Sequence, residues 1–473
     1  MMRLRLPLLG TSLCGALALF ASISAAQVPA FDRTQPPPVP PAKALTFPHA
    51  QTRTLSNGIP VVILEDHHSP VVSVVAVTDI SPVLEPAGKT GLSGMVSSML
   101  REGTTTHTAD QLADAFAALG NRVSPFGFYT IAANVDSSLS LMAEQLLHPA
   151  FPEPALTRLK ANEVTDLREE QENPQYLARR VFADVVYGKT HPYARHQTEA
   201  ETMSITRADI LQFYSDYYCP PNIKFVVAGD VTPDQAVAKL NRVFGTWASG
   251  KSGQVAVPAP QGVSATTIYL YDRPQSPQSV LIVGAVGPRR DTPDYYAIEL
   301  MNTTLGGAFN SRLNLNLREQ HQYTYGASSG FQYRRVPEPG AFFAASAVAT
   351  PKTDSALIQT MLEIRGIRTD RPITPAEFLF AQKFTTAGLA LQFETIRQRA
   401  GAVAGLVSDQ LPLDYYNTVV PRFESVTQSQ AEAAAQHYID PAKLAIVIVG
   451  DRASIESKLQ AAHIAPVVVV DKL

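Results

Sequence analysis

Two stretches of this chain carry one pattern, in step and without a gap. Ser204-Ile205-Thr206 is matched by Ser425-Val426-Thr427, Tyr217 by Tyr438, Pro220 by Pro441, and Gly229-Asp230 by Gly450-Asp451. Each pair is separated by 221 residues, the difference between 425 and 204. Phe225-Val226-Val227-Ala228 likewise meets Ile446-Val447-Ile448-Val449. Each copy therefore reads as a threonine that caps a helix, a proline that breaks it, a buried apolar strand and a glycine that ends the strand. Agreement of four different structural signals in one register marks an internal repeat. The fold class follows as α+β: two homologous α/β-sandwich domains from a tandem duplication, each a mainly antiparallel sheet with helices packed on it. At 473 residues the chain has room for two such units of roughly 200 residues.

The boundaries fall at shifts in composition. Residues 1–26 read as a signal peptide: Arg3 and Arg5, an apolar run from Leu6 to Ile23, then Ser24-Ala25-Ala26. That run is short for a membrane span. The address expected is periplasmic or secreted, with no membrane association after leader removal. Cys14 lies in the leader behind Leu13, which leaves Cys219 alone in the mature chain and allows no internal disulfide. Residues 27–47 form a Pro-rich tether in which Pro36-Pro37-Pro38 and Pro40-Pro41 favour polyproline II. The N-terminal unit spans 48–247. Residues 248–267, rich in Gly, Ser, Ala and Pro, form the linker, and the C-terminal unit spans 268–473. A net charge of −3 with no basic run excludes a nucleic-acid partner.

Within the first unit, Gln51–Leu55 and Ile59–Glu65 flank Asn57-Gly58 as a hairpin, and Val71–Thr78 reads as a central strand. Gly91–Leu100 reads as a helix with Leu92, Met95, Val96 and Met99 on one face. Thr108 caps a helix to Leu119. Strands are expected at Arg122–Pro125 and Tyr129–Val135, and a long helix at Pro154–Val186, interrupted near Asn173-Pro174. In the second unit, helices are expected at Pro293–Leu305, Ser355–Arg365, Pro375–Phe393 and Ile396–Leu406.

Gly306 to Gly330 stands out in the second unit. Asn310 or Ser311 can cap a helix on which Leu313 and Leu317 share a stripe. After His321 the period becomes two. Tyr323, Tyr325, Ala327 and Ser329 then fall on one face and Thr324, Gly326, Ser328 and Gly330 on the other, nearly bare face. Arg318, late in the helix, and Tyr325, early in the strand, can converge as a guanidinium and a phenol beside it. Equally, Arg318 can simply complement the carbonyl end of its helix and Tyr325 can be ordinary strand filling.

With Gly306-Gly307, Ser311-Arg312-Leu313, Arg318, Tyr325 and His191-Pro192-Tyr193, the chain resembles the pitrilysin/insulinase family of zinc peptidases, the inverzincins, in their short branch of two homologous halves. The resemblance runs from about Phe47 to the C-terminus. That family carries H-x-x-E-H on a helix, two zinc-binding histidines and a glutamate that activates water. Gly91-Leu92-Ser93 and Met99-Leu100-Arg101-Glu102-Gly103-Thr104 match its flanks, but the functional positions hold Gly94, Ser97 and Ser98. The third ligand's position falls near Thr165 or Asp166. Ten histidines offer no H-x3-H pair, and the adjacent His67 and His68 point to opposite sides of any strand. The metal assignment is therefore none in this chain. The resemblance implies that Arg318 donates to a backbone carbonyl of a bound peptide and Tyr325 to the carbonyl oxygen under attack. A chain with that pair and no zinc helix implies a homologous zinc-bearing partner in a heterodimer that cleaves peptides or unfolded polypeptides, zinc residing in the partner. The rival readings are a structural or peptide-binding assembly subunit with no role in catalysis, and a hydrolase built on Ser97 or Ser98, which lack a G-x-S-x-G setting.

Overall fold

The computed structural model describes residues 46–334 and 338–470. The expected leader and all but the end of the tether lie outside the described residues. The fold is α+β, with two mixed sheets. The first is ordered β1-β2-β5-β3-β4, from Gln51–Thr54, Pro60–Glu65, Ile223–Gly229, Val71–Thr78 and Gly127–Ile131. The second is ordered β11-β6-β10-β7-β9-β8, from Val467–Val470, Thr267–Asp272, Ala445–Gly450, Gln278–Arg289, Pro339–Ala349 and Thr324–Gln332. The repeated strands, β5 and β10, occupy equivalent interior positions. Each lies between one parallel and one antiparallel neighbour, and β10 is buried along its whole length. The repeated threonines cap equivalent helices: Thr206 and Thr427 each form a reciprocal capping box, with Asp209 and Gln430, a device that stabilises a helix start by about 1 kcal/mol.

One face of each sheet is covered by its own half. Leu92, Met95, Val96 and Met99 of the Leu92–Met99 helix join Val61, Val74 and Phe225 under the first sheet. The other face of each sheet is covered by a helix from the opposite half. Leu177, Ala178, Val181 and Phe182 of the Pro174–Tyr187 helix pack on Val280, Ile282 and Val447 of the second sheet. Reciprocally, Ile396, Ala400 and Val403 of the Ile396–Ser408 helix pack on Val62, Leu64 and Val226 of the first. Gly284 in β7 makes room for this exchange, since a Cβ there would lie 2.8 Å from the Phe182 ring and 2.1 Å from Phe342 O. Phe47 adds a further tie, seated against Phe393 and Tyr416 at 5.1 Å each, with its N–H and C=O bound by the Asn417 amide.

An ion pair crosses the same junction. Asp66, whose side chain is 6% exposed, is paired with Arg399 and bound by His68. Burial alone would raise the Asp66 carboxyl, but the His68 hydrogen bonds and the Arg399 charge outweigh it and hold the group below its ordinary 3.8. A depressed carboxylate contributes stability that is present above its unfolded value and lost as pH falls through its folded one. Replacing Arg399 by Met is expected to lower unfolding free energy by about 2–3 kcal/mol near neutral pH. It should also move the start of acid unfolding to higher pH, because one cause of the depression is gone. Urea titrations of both proteins across pH 3 to 7 measure both effects.

Three local expectations change, and one helix was not expected. Residues 121–126 form no strand, and Pro125 has no N–H to give a ladder. β4 ends at Ile131, and Val135 already begins a helix to Leu147. The helix from Pro375 ends at Ala387 before Gly388 and a separate turn, Ala390–Phe393. A helix at Tyr415–Ser425, with Pro421 inside it, was hidden by that proline. The break at Asn173 is present, with Asn173 Oδ1 accepting from the Gln175 and Tyr176 N–H groups.

Candidate functional site

The stretch from Gly306 is less regular than its letters suggest. The Tyr295–Asn302 helix widens into a π-turn, Thr303–Gly307. Gly306 lets this turn lie against the sheet: a Cβ there would sit 2.4 Å from Ser329 N. Asn302 locks the contact, its Oδ1 accepting from Ser329 Oγ at 2.7 Å and its Nδ2 donating to Ser329 O at 3.2 Å. Ser311 occupies the expected cap position, but its Oγ caps nothing and is buried without a partner. The next helix is α-helical only over Arg312–Asn314 and is a π-turn over Leu315–Gln320, a widening common at functional sites. The chain then reverses at Gln322, a non-glycine residue with φ 56°.

Arg312 and Arg318, six residues apart in this stretch, have different occupations. Arg312 is fully engaged. It binds both Glu377 oxygens at 2.6 and 2.7 Å, Arg371 O at 2.5 Å and Pro372 O at 2.8 Å. Burial alone would raise Glu377, but Arg312 and Thr374 hold it below its ordinary 4.5. Arg318 is tied to its neighbour Glu319 at 3.4 Å, and its guanidinium lies 4.6 Å from the ring centre of Phe309. Phe309 is 62% exposed, so this stacked pair faces solvent.

Tyr325 is 89% exposed, and the reason is a bulge. Thr324 pairs with Val348 and Ala327 with Ser346, so Tyr325 and Gly326 together oppose Ala347. The extra residue breaks the expected face of Tyr325, Ala327 and Ser329: Ala327 and Ser329 are buried, while Tyr325 turns outward. Thr324 holds the bulge, its Oγ1 accepting from Gly326 N–H at 3.1 Å and donating to Ala347 O at 2.7 Å. The nearly bare face survives at exposed Gly326 and Ser328 and half-buried Gly330. β8 is the terminal strand of its sheet. Arg318 and Tyr325 thus both stand at the surface where this edge begins, and no side-chain contact joins them among the described residues.

The positions expected by resemblance to match the zinc helix lie in the other half. Gly91 starts the Leu92–Met99 helix at φ 92°. The buried Glu85 carboxylate caps it, accepting from Gly91 N and Ser93 N at 2.9 Å and from Ser93 Oγ at 2.5 Å. Gly94 and Ser98 are exposed and Ser97 is half-buried, so the motif positions face away from the core. A glycine and two hydroxyls do not make the three-ligand set that a catalytic zinc needs. On the Glu153–Gln171 helix, Thr165 and Asp166 are exposed. Glu163 turns inward, pushed up first by burial and then by the Asp166 and Glu170 charges. Among the described residues, no group of three or more His, Cys, Asp and Glu is placed to hold a metal ion. His67 and His68 part as expected, His67 to Asp230 and Glu65 and His68 to Asp66.

The chain is similar to several known proteins. Residues 204–384 match the family model described as the peptidase M16 inactive domain. An uncharacterized zinc protease of Rickettsia felis is 25% identical over 286 residues, 58% of this chain and 68% of that protein. A Helicobacter pylori protein named non-peptidase homolog YmxG is 21% identical over 320 residues, 67% of this chain and 72% of its own. Among solved structures, the peptidase M16 inactive domain from Pseudomonas fluorescens superposes with a TM-score of 0.77 at 24% identity, covering 85% of this chain and 98% of that one. A protease from Helicobacter pylori gives 0.73 at 19%, covering 85% and 99%. The two structural likenesses speak to the fold.

Proposed function

We propose that this chain, a non-catalytic member of the peptidase M16 family, is the substrate-binding subunit of a heterodimeric zinc metallopeptidase. The observation that carries the reading is an asymmetry. The three catalytic positions hold Gly94, Ser97 and Ser98, while Arg318, half-buried beside Glu319 and Phe309, and the exposed Tyr325 remain, without the dense set of bonds that occupies Arg312. Donors at the surface can meet a peptide brought to them. In this reading a homologous partner supplies the zinc and the water-activating glutamate. A peptide or unfolded polypeptide lies between the two chains. Arg318 donates to a backbone carbonyl of that peptide, and Tyr325 O–H donates to the oxygen of the carbonyl under attack, where negative charge develops. The location that fits this role is periplasmic or secreted, after removal of the leader.

The test is reconstitution. Purified alone, the chain is expected to bind no stoichiometric zinc and to leave a quenched fluorescent peptide intact. Mixed with a zinc-bearing M16 homologue from the same genome, it should form a one-to-one complex and raise cleavage at least tenfold over the homologue alone, a gain of about 1.4 kcal/mol in transition-state binding. A stable complex with no gain in cleavage favours the assembly-subunit reading and overturns this one.

A further inference from the structure

We propose that Asn314 is the positioning residue of this site, fixing Arg318 and Tyr325 in one shared geometry; this rests on the substrate-binding role given to that pair above. Asn314 is 4% exposed and ends the short α-helical turn before the π-turn that bears Arg318. Its amide works in two directions. Nδ2–H donates to Phe309 O at 2.7 Å, and Oδ1 accepts from Ala327 N–H at 3.1 Å. The first bond holds the loop whose ring carries the Arg318 guanidinium. The second holds the first paired residue beyond the bulge that turns Tyr325 outward.

Residue type matters here. An amide offers a donor and an acceptor in one rigid plane. Aspartate keeps the acceptor and loses the donor. Leucine has a similar volume and neither. Without Oδ1, the buried Ala327 N–H has no partner, which costs free energy that closing the bulge would recover. Closing the bulge shifts Tyr325 by one place in a period-two strand and so moves it off its outward face. Asn314 thus hydrogen-bonds to both segments, Phe309 to Arg318 on one side and the strand of Tyr325 on the other, which also pack together through Leu313, Leu317 and Ala327.

The full-length chain is compared with its Asn314→Leu and Asn314→Asp variants by tyrosine nitration and by hydrogen exchange, both read by mass spectrometry. Tyr129, 38% exposed on β4, is the internal reference for nitration. In Asn314→Leu, the Tyr325-to-Tyr129 nitration ratio should fall several-fold. Amide exchange should speed by about tenfold at both 306–311 and 324–328, as loss of a hydrogen bond of about 1.4 kcal/mol dictates. In Asn314→Asp, the nitration ratio should stay at the wild-type value and exchange should speed only at 306–311. In the reconstituted complex, Asn314→Asp should raise KM with kcat kept, and Asn314→Leu should lower kcat as well. A wild-type nitration ratio and wild-type exchange at 324–328 in Asn314→Leu overturn the proposal. The predicted nitration and exchange changes with unaltered kinetics uphold the positioning and count against the catalytic use of Arg318 and Tyr325.

Discussion

In a reconstituted complex with a zinc-bearing homologue, replacing Tyr325 by phenylalanine is expected to lower kcat by about 10²–10³-fold, the usual effect of deleting one oxyanion donor. The substitution removes a single oxygen from a side chain that is 89% exposed on a strand bulge. Packing, melting temperature and complex formation should therefore be unchanged, and the loss can be assigned to the transition state. Arg318→Ala is expected to act differently. In the proposed role its guanidinium holds peptide backbone in ground and transition states alike, so KM should rise more than kcat falls. Steady-state kinetics on one quenched peptide separate the two effects. Full turnover by Tyr325→Phe would remove the phenol from the reaction.

The second large effect concerns stability and compares two glycines that the repeat makes equivalent. Gly229 ends β5 at φ 124°, and a Cβ there would lie 2.1 Å from the backbone oxygen of Val71. Gly450 ends β10, and its Cβ would meet the side-chain Oγ of Ser279 at 2.4 Å. Backbone in the middle of a sheet has nowhere to go, whereas a serine hydroxyl can rotate. Gly229→Ala combines a strained φ with overpacking against main chain and is expected to cost about 3–5 kcal/mol. Gly450→Ala should cost about 1–2 kcal/mol, chiefly the Thr353–Ser279 hydrogen bond given up when Ser279 moves. Denaturant midpoints of the two variants measure the difference. Equal midpoints would mean that the sheet yields at Val71 as easily as a side chain does.

What could be read in the sequence was what local chemistry determines. Thr206, Pro220 and Gly229 each signal cap, break or strand end within a few residues, and their recurrence as Thr427, Pro441 and Gly450 exposed the duplication before any contact was known. That Gly94, Ser97 and Ser98 stand where the resembled family carries H-x-x-E-H was read from the flanking residues by family likeness. Three things were not legible. Periodicity shows that Leu177, Val181, Ile396 and Val403 lie on apolar faces, but it does not say which sheet covers them, so the exchange of helices between halves was invisible. The bulge at Tyr325 inserts one residue without disturbing the look of an alternating strand; Gly326 was its one trace. The π-turns at Thr303–Gly307 and Leu315–Gln320 likewise leave the i, i+4 spacing of Leu313 and Leu317 intact. Arg318 was separated from Arg312 by family likeness, and only the contacts of Arg312 gave that choice a physical reason.

The crossed helices also have a consequence for biosynthesis. The last strand of the first sheet, β5, is complete at Gly229, yet the helix that covers one face of that sheet ends at Ser408. At ordinary ribosomal speeds the interval is on the order of ten to forty seconds. During it, Val62, Leu64 and Val226 lack the cover that Ile396, Ala400 and Val403 later give them. Apolar surface left open in this way makes the nascent chain prone to aggregate until its own C-terminal half arrives.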